Sequence, residues 1–556
     1  MRARLFKRGR ETGCLRVGNR ESRGMGNTRS LLVILAVGSA PTLAVACSVF
    51  GSDAAESALD GAVDSSNTLD SRDAGVLDGM YPPDRLAPDA SRSLKLSVVE
   101  TPKPAIRGKE PCSFKVRLDP LGSKAVLVAD MLPQGLSMAE STIEPTTGEG
   151  EVIVVAAASV RAGTYDVTIR AQEVGTALRA EVGVRIEVRG APGEVDETFG
   201  TNGYVVRPAS VTSEVIADAA LLSDGKFVTG GVDEEGPFVK RYSSEGVLDA
   251  TFGIGGTYRF EPSYRAAVSV TALQAQGTAF VVATRRNQPA PTGDVGFFRF
   301  DGASVTKIQT LSVNNMRTVQ AMTAFGGASN AIAAAGVGGA GWVVASFDAR
   351  TGALSPWGNG GSGFAYSGAQ NPGLALFSGV ANDYVIVAES GVRGVVLSKA
   401  GVVQSEQNYS LAGSFLGGDI SLGASDTVHF AMRTPSGTFG LFGLNQASGG
   451  KIGSDGPLAS GSLSGVPQHS FVKLRSSYLV ADVGVRVARV DVAGNWLPIG
   501  DSPLMNVAFP MAAGVVLPVR LLPSQDQGRA IVVGTQLFDD SFGINDRGLA
   551  MTRIWL

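Results

Sequence analysis

Histidine and cysteine, the residues that most often carry metal or nucleophilic chemistry, are nearly absent from this 556-residue chain, which has two of the first and three of the second. No Ser/His/Asp arrangement, zinc-ligand spacing or Walker-type phosphate loop is present. The sequence therefore assigns no catalytic, cofactor-binding or metal-ligating residue. His429 falls inside an apolar strand pattern between Val428 and Phe430, which fits a packed structural ring, and His469 reads as a loop residue. Charge is sparse as well. Only 18% of residues are charged and the net charge is −3, so nothing draws the whole chain to nucleic acid or to anionic lipid. The apolar run from Leu31 to Ala46 spans about 16 residues, short for a permanent membrane helix, and it contains Gly38 and Pro41.

What the chain does have is glycine, 72 residues of it, within a composition that is 44% hydrophobic. That balance favours many short strands and tight turns over long helices. One segment occurs twice, Asp196-Glu-Thr-Phe-Gly-Thr-Asn-Gly and Asp249-Ala-Thr-Phe-Gly-Ile-Gly-Gly, with Phe199 and Phe252 53 residues apart. Self-similarity near this period marks a repeat architecture. Short apolar strands start at Phe227, Phe280, Ile332, Val385, Val428, Leu479 and Ile531, spaced 53, 52, 53, 43, 51 and 52 residues apart. A third strand follows each one, as in Gly296-Phe-Phe-Arg-Phe and Gly548-Leu-Ala-Met-Thr-Arg-Ile. Four short strands per unit predict the blades of a β-propeller, seven of them over residues 194–556. The last copy ends after its third strand, so Gly203-Tyr-Val-Val-Arg is expected to supply the missing outer strand of the seventh blade and leave no open edge.

Residues 94–190 carry period-two alternation, for example Phe114, Val116, Leu118 and Val182, Val184, Ile186, Val188. This predicts half-buried antiparallel strands in an immunoglobulin-like sandwich. The run Leu132-Pro-Gln-Gly-Leu-Ser with Ala162-Gly-Thr-Tyr-Asp-Val-Thr-Ile resembles bacterial cell-surface Ig-like modules. Before it, residues 48–93 are rich in Asp, Ser, Ala and Gly with little aromatic content, and are expected to be a disordered spacer.

Arg29, the apolar run and Leu43-Ala-Val-Ala-Cys47 describe a secretory leader ending in a cysteine. The ending resembles the bacterial lipoprotein signal. That resemblance implies lipidation of Cys47, a mature N-terminus there, and stable anchoring to a membrane. Ser48 stands where an inner-membrane retention aspartate would, so the outer membrane is the expected address. Met25 is the expected translation start, with Cys14 upstream of it. Cys112 is then the one free thiol, too few for a disulfide framework or a Cys-based zinc site.

The motif set Asp-x-Thr-Phe-Gly-x-x-Gly, Asp224-Gly-Lys-Phe-Val-x-Gly-Gly and Lys240-Arg-Tyr-x-x-x-Gly-x-Leu-Asp resembles the delta-60 repeat of large bacterial surface proteins. The match is close over 194–260 and fades later, with Leu354-Ser-Pro-Trp-Gly-Asn-Gly-Gly and Asp540-Ser-Phe-Gly as echoes. The resemblance implies a surface location and no catalytic residues. Arg241, Arg299, Arg489 and Arg553 stand at corresponding third-strand positions, where solvated sites beside blade interfaces are expected rather than an anion site. Asp233-Glu-Glu-Gly and the loop from Asp539 to Arg547 hold hard oxygen donors suited to a structural Ca²⁺ ion, but neither has EF-hand spacing. No cofactor is otherwise implied.

These features together predict a non-catalytic, lipid-anchored envelope protein whose propeller loops bind or display to a protein or glycan partner. The rival is an envelope hydrolase or quinoprotein-type dehydrogenase with a site at the channel mouth. A spacer without a specific partner is the third reading.

Overall fold

A computed structural model describes residues 93–556 apart from short internal segments, the longest being 457–470 and 538–546. The Leu31–Ala46 run, Cys14, Cys47 and the spacer lie outside the described residues, and so do His469 and most of the Asp539–Arg547 loop. The compact unit that holds the described residues is all-β, without an α-helix among them.

Residues 95–189 form a two-sheet sandwich. One sheet has the order Lys95–Val98, Cys112–Asp119, Glu149–Ala156, Leu136–Met138. The other runs Ala105–Ile106, Arg179–Arg189, Gly163–Glu173, Ala125–Asp130, Ser141–Ile143. Alternation decides which side faces in. In Cys112–Asp119 the side chains of Cys112, Phe114, Val116 and Leu118 are buried while their neighbours reach solvent, as a sheet covered on one face requires. Cys112 is a free thiol in this core. Burial pushes its pKa up to about 11, which makes it an inert core residue rather than a nucleophile.

The rest is propeller-like. Among the described residues, seven antiparallel meanders follow one another. Their first strands are Val215–Leu221, Tyr264–Ala272, Thr318–Ala324, Gly373–Ser378, Ser414–Ile420, Phe471–Lys473 and Val515–Pro523. Second and third strands are apolar without alternation. Phe227–Asp233 and Val295–Asp301 each bury at least five consecutive residues, because each sheet is covered on both faces by neighbours. Outer strands such as Ser304–Leu311 are largely exposed. The expected strand starts all fall in the observed second strands, from Phe227–Asp233 to Arg529–Leu537.

Each successive pair of sheets shares one apolar cluster. The last and first sheets share one too, in which Phe199, Phe227, Phe238 and Tyr242 meet Val533, Leu549 and Met551. Tyr204–Arg207 pairs antiparallel with Arg547–Trp555, Tyr204 opposite Thr552 and Arg207 opposite Leu549. The final sheet thus takes its outer strand from a segment more than three hundred residues upstream.

The sandwich is joined to this assembly by a short, tightly packed link. A Cβ on Gly190 would stand 2.3 Å from the Trp555 ring, so only glycine lets the chain pass there. Arg107 donates to Glu194 Oε2 at 2.8 Å and to the Val160 carbonyl at 3.2 Å.

Candidate functional site

The duplicated motif is a structural clasp. In its second copy the Thr251 hydroxyl donates to Asp249 Oδ1 at 2.6 Å, and Arg241 Nε and Lys226 Nζ both reach Asp249 Oδ2 at 2.9 Å. The Asp249 amide donates back to the Arg241 carbonyl at 2.8 Å. The Arg241 guanidinium lies 4.8 Å from the centre of the Phe252 ring. The first copy repeats this arrangement across the seam between the last and first sheets. There the Thr198 hydroxyl donates to Asp196 Oδ1 at 2.7 Å, while Arg553 Nε and Arg529 Nη1 reach Asp196 Oδ2 at 2.7 and 3.2 Å. Arg553 also stacks on Phe199, 5.2 Å from the ring centre. Every residue type in Asp-x-Thr-Phe therefore has a partner. The glycines finish the turn: Gly200 and Gly253 take φ of 53° and 57°, where L side chains are strained.

This corrects the expectation of solvated sites for Arg241, Arg299 and Arg553, while Arg489 is half-buried. Arg241, Arg299 and Arg553 are buried. Arg299 donates to Gln276 Oε1 at 2.6 Å and Asp301 Oδ2 at 3.0 Å, and Arg489 Nε donates to Ser477 Oγ at 2.8 Å. Each guanidinium is engaged within its own repeat or seam. The physical reason is register. For Arg241 and Arg553 the Asp-x-Thr-Phe turn brings a carboxylate beneath the arginine. Arg299 uses the turn before its second strand and its own strand end, and Arg489 uses the neighbouring second strand. A desolvated cation requires such an acceptor.

Burial opposes ionisation of Asp196, but the Thr198 hydroxyl and the Arg553 charge outweigh it and hold the carboxyl below the usual carboxylate range. For Asp249 the Thr251 hydroxyl, followed by Lys226, does the same.

The acidic loop at Asp233 is also satisfied by protein. Arg259 donates to both Asp233 oxygens, at 2.7 and 2.9 Å, and its Nε contacts Glu235 at 2.8 Å. A guanidinium fork occupies the carboxylate a cation would use. Among the described residues no group of three His, Cys, Asp or Glu side chains is placed to hold a metal ion. His429 is buried and its Nδ1 lies 2.8 Å from the Tyr478 hydroxyl. Burial, and next the charge of Lys473, hold the ring's pKa below its ordinary value.

What the sequence did not single out is a cavity of about 500 Å³ at the C-terminal ends of the first strands. All seven first strands, or the turns that directly follow them, contribute to its wall, from Leu221 in the first sheet to Leu522 in the seventh. Its charged lining is Asp419, Lys473, Arg475 and Arg520. Arg520 follows a β-bulge at Pro518/Arg520, at the position that Asp218 occupies after the bulge in the first sheet. Such bulges re-aim side chains along a strand. Asp218 is held by its neighbours: the Ser269 hydroxyl and Val270 amide of the second sheet donate to Oδ2 at 3.0 and 2.9 Å, and the adjacent Ala219 amide to Oδ1 at 2.8 Å. Short apolar first strands carry no motif, so only the topology brings these four charges together.

No protein-family model matches the chain, and no curated protein matches it. Similar solved structures include BamB from Moraxella catarrhalis, 12% identical over 61% of this chain and 86% of that one, with a TM-score of 0.33. The fungal lectin from Aleuria aurantia, a six-bladed propeller with a fucose recognition mode, is 11% identical over 54% and 93%, also at 0.33. The Hadza microbial sialidase Hz136 is 7% identical over 83% and 99%, at 0.29. Likeness at this level carries no statement about what this chain binds or does.

Proposed function

We propose that this chain is a non-catalytic binding protein of the bacterial cell envelope. It is held by lipid on Cys47, in the outer membrane by preference, and raised on the 48–93 spacer. Residues 94–190 act as an Ig-like module, and 194–556 as a seven-bladed propeller of delta-60-like repeats. The Tyr204–Arg207 strand beside Arg547–Trp555 and the apolar seam between last and first sheets support closure of that ring. Its task is to engage a protein or glycan partner on one face.

The observation that carries the binding role is the cavity walled by every first strand. A closed stack of sheets fixes many strand ends around one axis, which gives a preorganised concave surface at little ordering cost. Display of the purified full-length protein, in detergent, to an array of neutral and acidic glycans tests the reading. Ala272→Trp places an indole in the cavity and should abolish whatever binding is found. Binding that survives unchanged in that variant would move the site elsewhere. The anchor is tested by metabolic labelling with a palmitate analogue; label persisting in Cys47→Ala would end that part of the proposal.

A further inference from the structure

The cavity is polarised. Its three cations, Lys473, Arg475 and Arg520, all come from the sixth and seventh sheets, against one lining carboxylate, Asp419 from the fifth. Across from them, the second to fourth sheets bring no charge to the lining. Val270, Met322, Leu376 and Phe377 form an apolar wall there, the first three showing only their edges.

Two of the cations have donors to spare. Arg475 lies exposed on the bend after Lys473 and makes no ion pair among the described residues. Arg520 forms an ion pair with Asp218 Oδ1 at 3.6 Å, a contact longer than a hydrogen bond. Asp218 already accepts three closer donors, so the five N–H groups of Arg520 are not consumed by it.

From this geometry we infer that the cavity takes a small organic anion. Its carboxylate sits against Arg475 and Arg520, and its uncharged body lies on the wall formed by the second to fourth sheets. The inference rests on the binding reading above and names the ligand class for the same site. A guanidinium fork matches a carboxylate in two parallel hydrogen bonds. Low-dielectric walls focus the positive potential into the mouth and raise the local concentration of anions. A volume of about 500 Å³ suits a ligand of one or two sugar rings. For a glycan partner, the fitting terminal residue is an acidic sugar.

Isothermal titration of the full-length protein in detergent tests this with three probes: a galacturonate dimer, the neutral galactose dimer, and inorganic sulfate. The acidic dimer is expected to bind at least tenfold more tightly than the neutral one and to weaken as salt rises. Arg520→Gln and Arg475→Gln should each weaken it about tenfold or more. Arg475 is exposed on a bend, so its variant keeps the test decisive if Arg520→Gln disturbs folding. Equal affinity for the two dimers, or an unchanged affinity in Arg475→Gln, would overturn the inference. Sulfate binding as tightly as the acidic dimer would also overturn it, because the apolar wall would then contribute nothing. Neutral glycan binding that Ala272→Trp abolishes would sink the anion inference and leave the binding reading intact.

Discussion

Removing the Asp196 carboxylate should weaken the seam between the last and first sheets more than a typical single substitution elsewhere. Asp196 is fully buried and faces Arg553, whose side chain is 5% exposed, and Arg529, which is 25% exposed. Asp196→Ala deletes one anion and strands a desolvated guanidinium, a change that costs about 3–5 kcal/mol for buried pairs. Arg529 can turn towards solvent, which limits its share. The double variant Asp196→Ala/Arg553→Met removes both charges and should recover at least about 2 kcal/mol relative to the sum of the single changes. Urea unfolding gives the free energies, and hydrogen exchange of the Tyr204–Arg207 amides reports the seam itself. The pH sign follows from the direction of the shift. Asp196 titrates lower folded than unfolded, so its contribution is present above the ordinary carboxylate pKa of about 3.9 and is lost as pH falls through the folded value. Asp196→Asn should lack that acid-dependent component. A loss under about 0.5 kcal/mol in Asp196→Ala, the range of ordinary surface changes, or simple additivity in the double variant, would refute the reasoning.

Gly253→Ala should destabilise by about 2 kcal/mol or more: the positive φ strains any L residue by about 1–2 kcal/mol, and its Cβ would stand 2.2 Å from the Thr257 carbonyl oxygen. Gly255→Asn, at a φ of 58° with open space around it, should be nearly neutral by the same thermal or urea assay, because Asn202 already fills the matching position in the first copy at 52°. Arg107→Ala should speed protease cleavage within Gly190–Gly193 several-fold by freeing Glu194; an unchanged cleavage rate would show that Trp555 packing alone holds the joint. His429 is disfavoured as a cation in the fold, so stability should be full above its ordinary pKa near 6.5 and fall as pH drops below it. His429→Gln should flatten that dependence in urea titrations between pH 7 and 5.

The strands of the propeller-like part were legible because burial on both faces writes an uninterrupted apolar run, as at Phe280-Val-Val-Ala, and turn residues punctuate it. Gly203-Tyr-Val-Val-Arg stood out as an outer strand because the last repeat stops one strand short, and it lies beside Arg547–Trp555. The clasp was not legible. Asp249 and Arg241 are eight residues apart in sequence with no periodic relation, and only the return of the loop under the third strand joins them. The cavity charges were hidden for a different reason. Lys473 ends the three-residue strand Phe471–Lys473 and Arg475 stands on the bend after it, too short a stretch to show a pattern, and Arg520 is aimed by a bulge that no local residue pattern announces.

The third repeat shows how the clasp can be given up. Pairing places Ser346 where the first sheet has Arg241, opposite Ala333 as Arg241 is opposite Val228. The Ser355 amide donates to the Ser346 carbonyl at 2.9 Å, as the Asp249 amide does to Arg241, and the two hydroxyls are 3.2 Å apart. Two small neutral hydroxyls stand here where the first sheet has arginine and aspartate. That is the substitution route electrostatics leaves open, since losing one partner alone buries an unmatched charge while losing both costs little. The reverse exchange is therefore expected to be strongly coupled. Ser346→Arg alone should destabilise by about 3 kcal/mol or more, because Ser346 is 1% exposed, and adding Ser355→Asp should recover a large part of that loss. Equal stability of the single and double variants in urea would mean that the loop cannot bring a carboxylate under the third strand here, and that the clasp depends on Thr251 and Phe252 as much as on its charges.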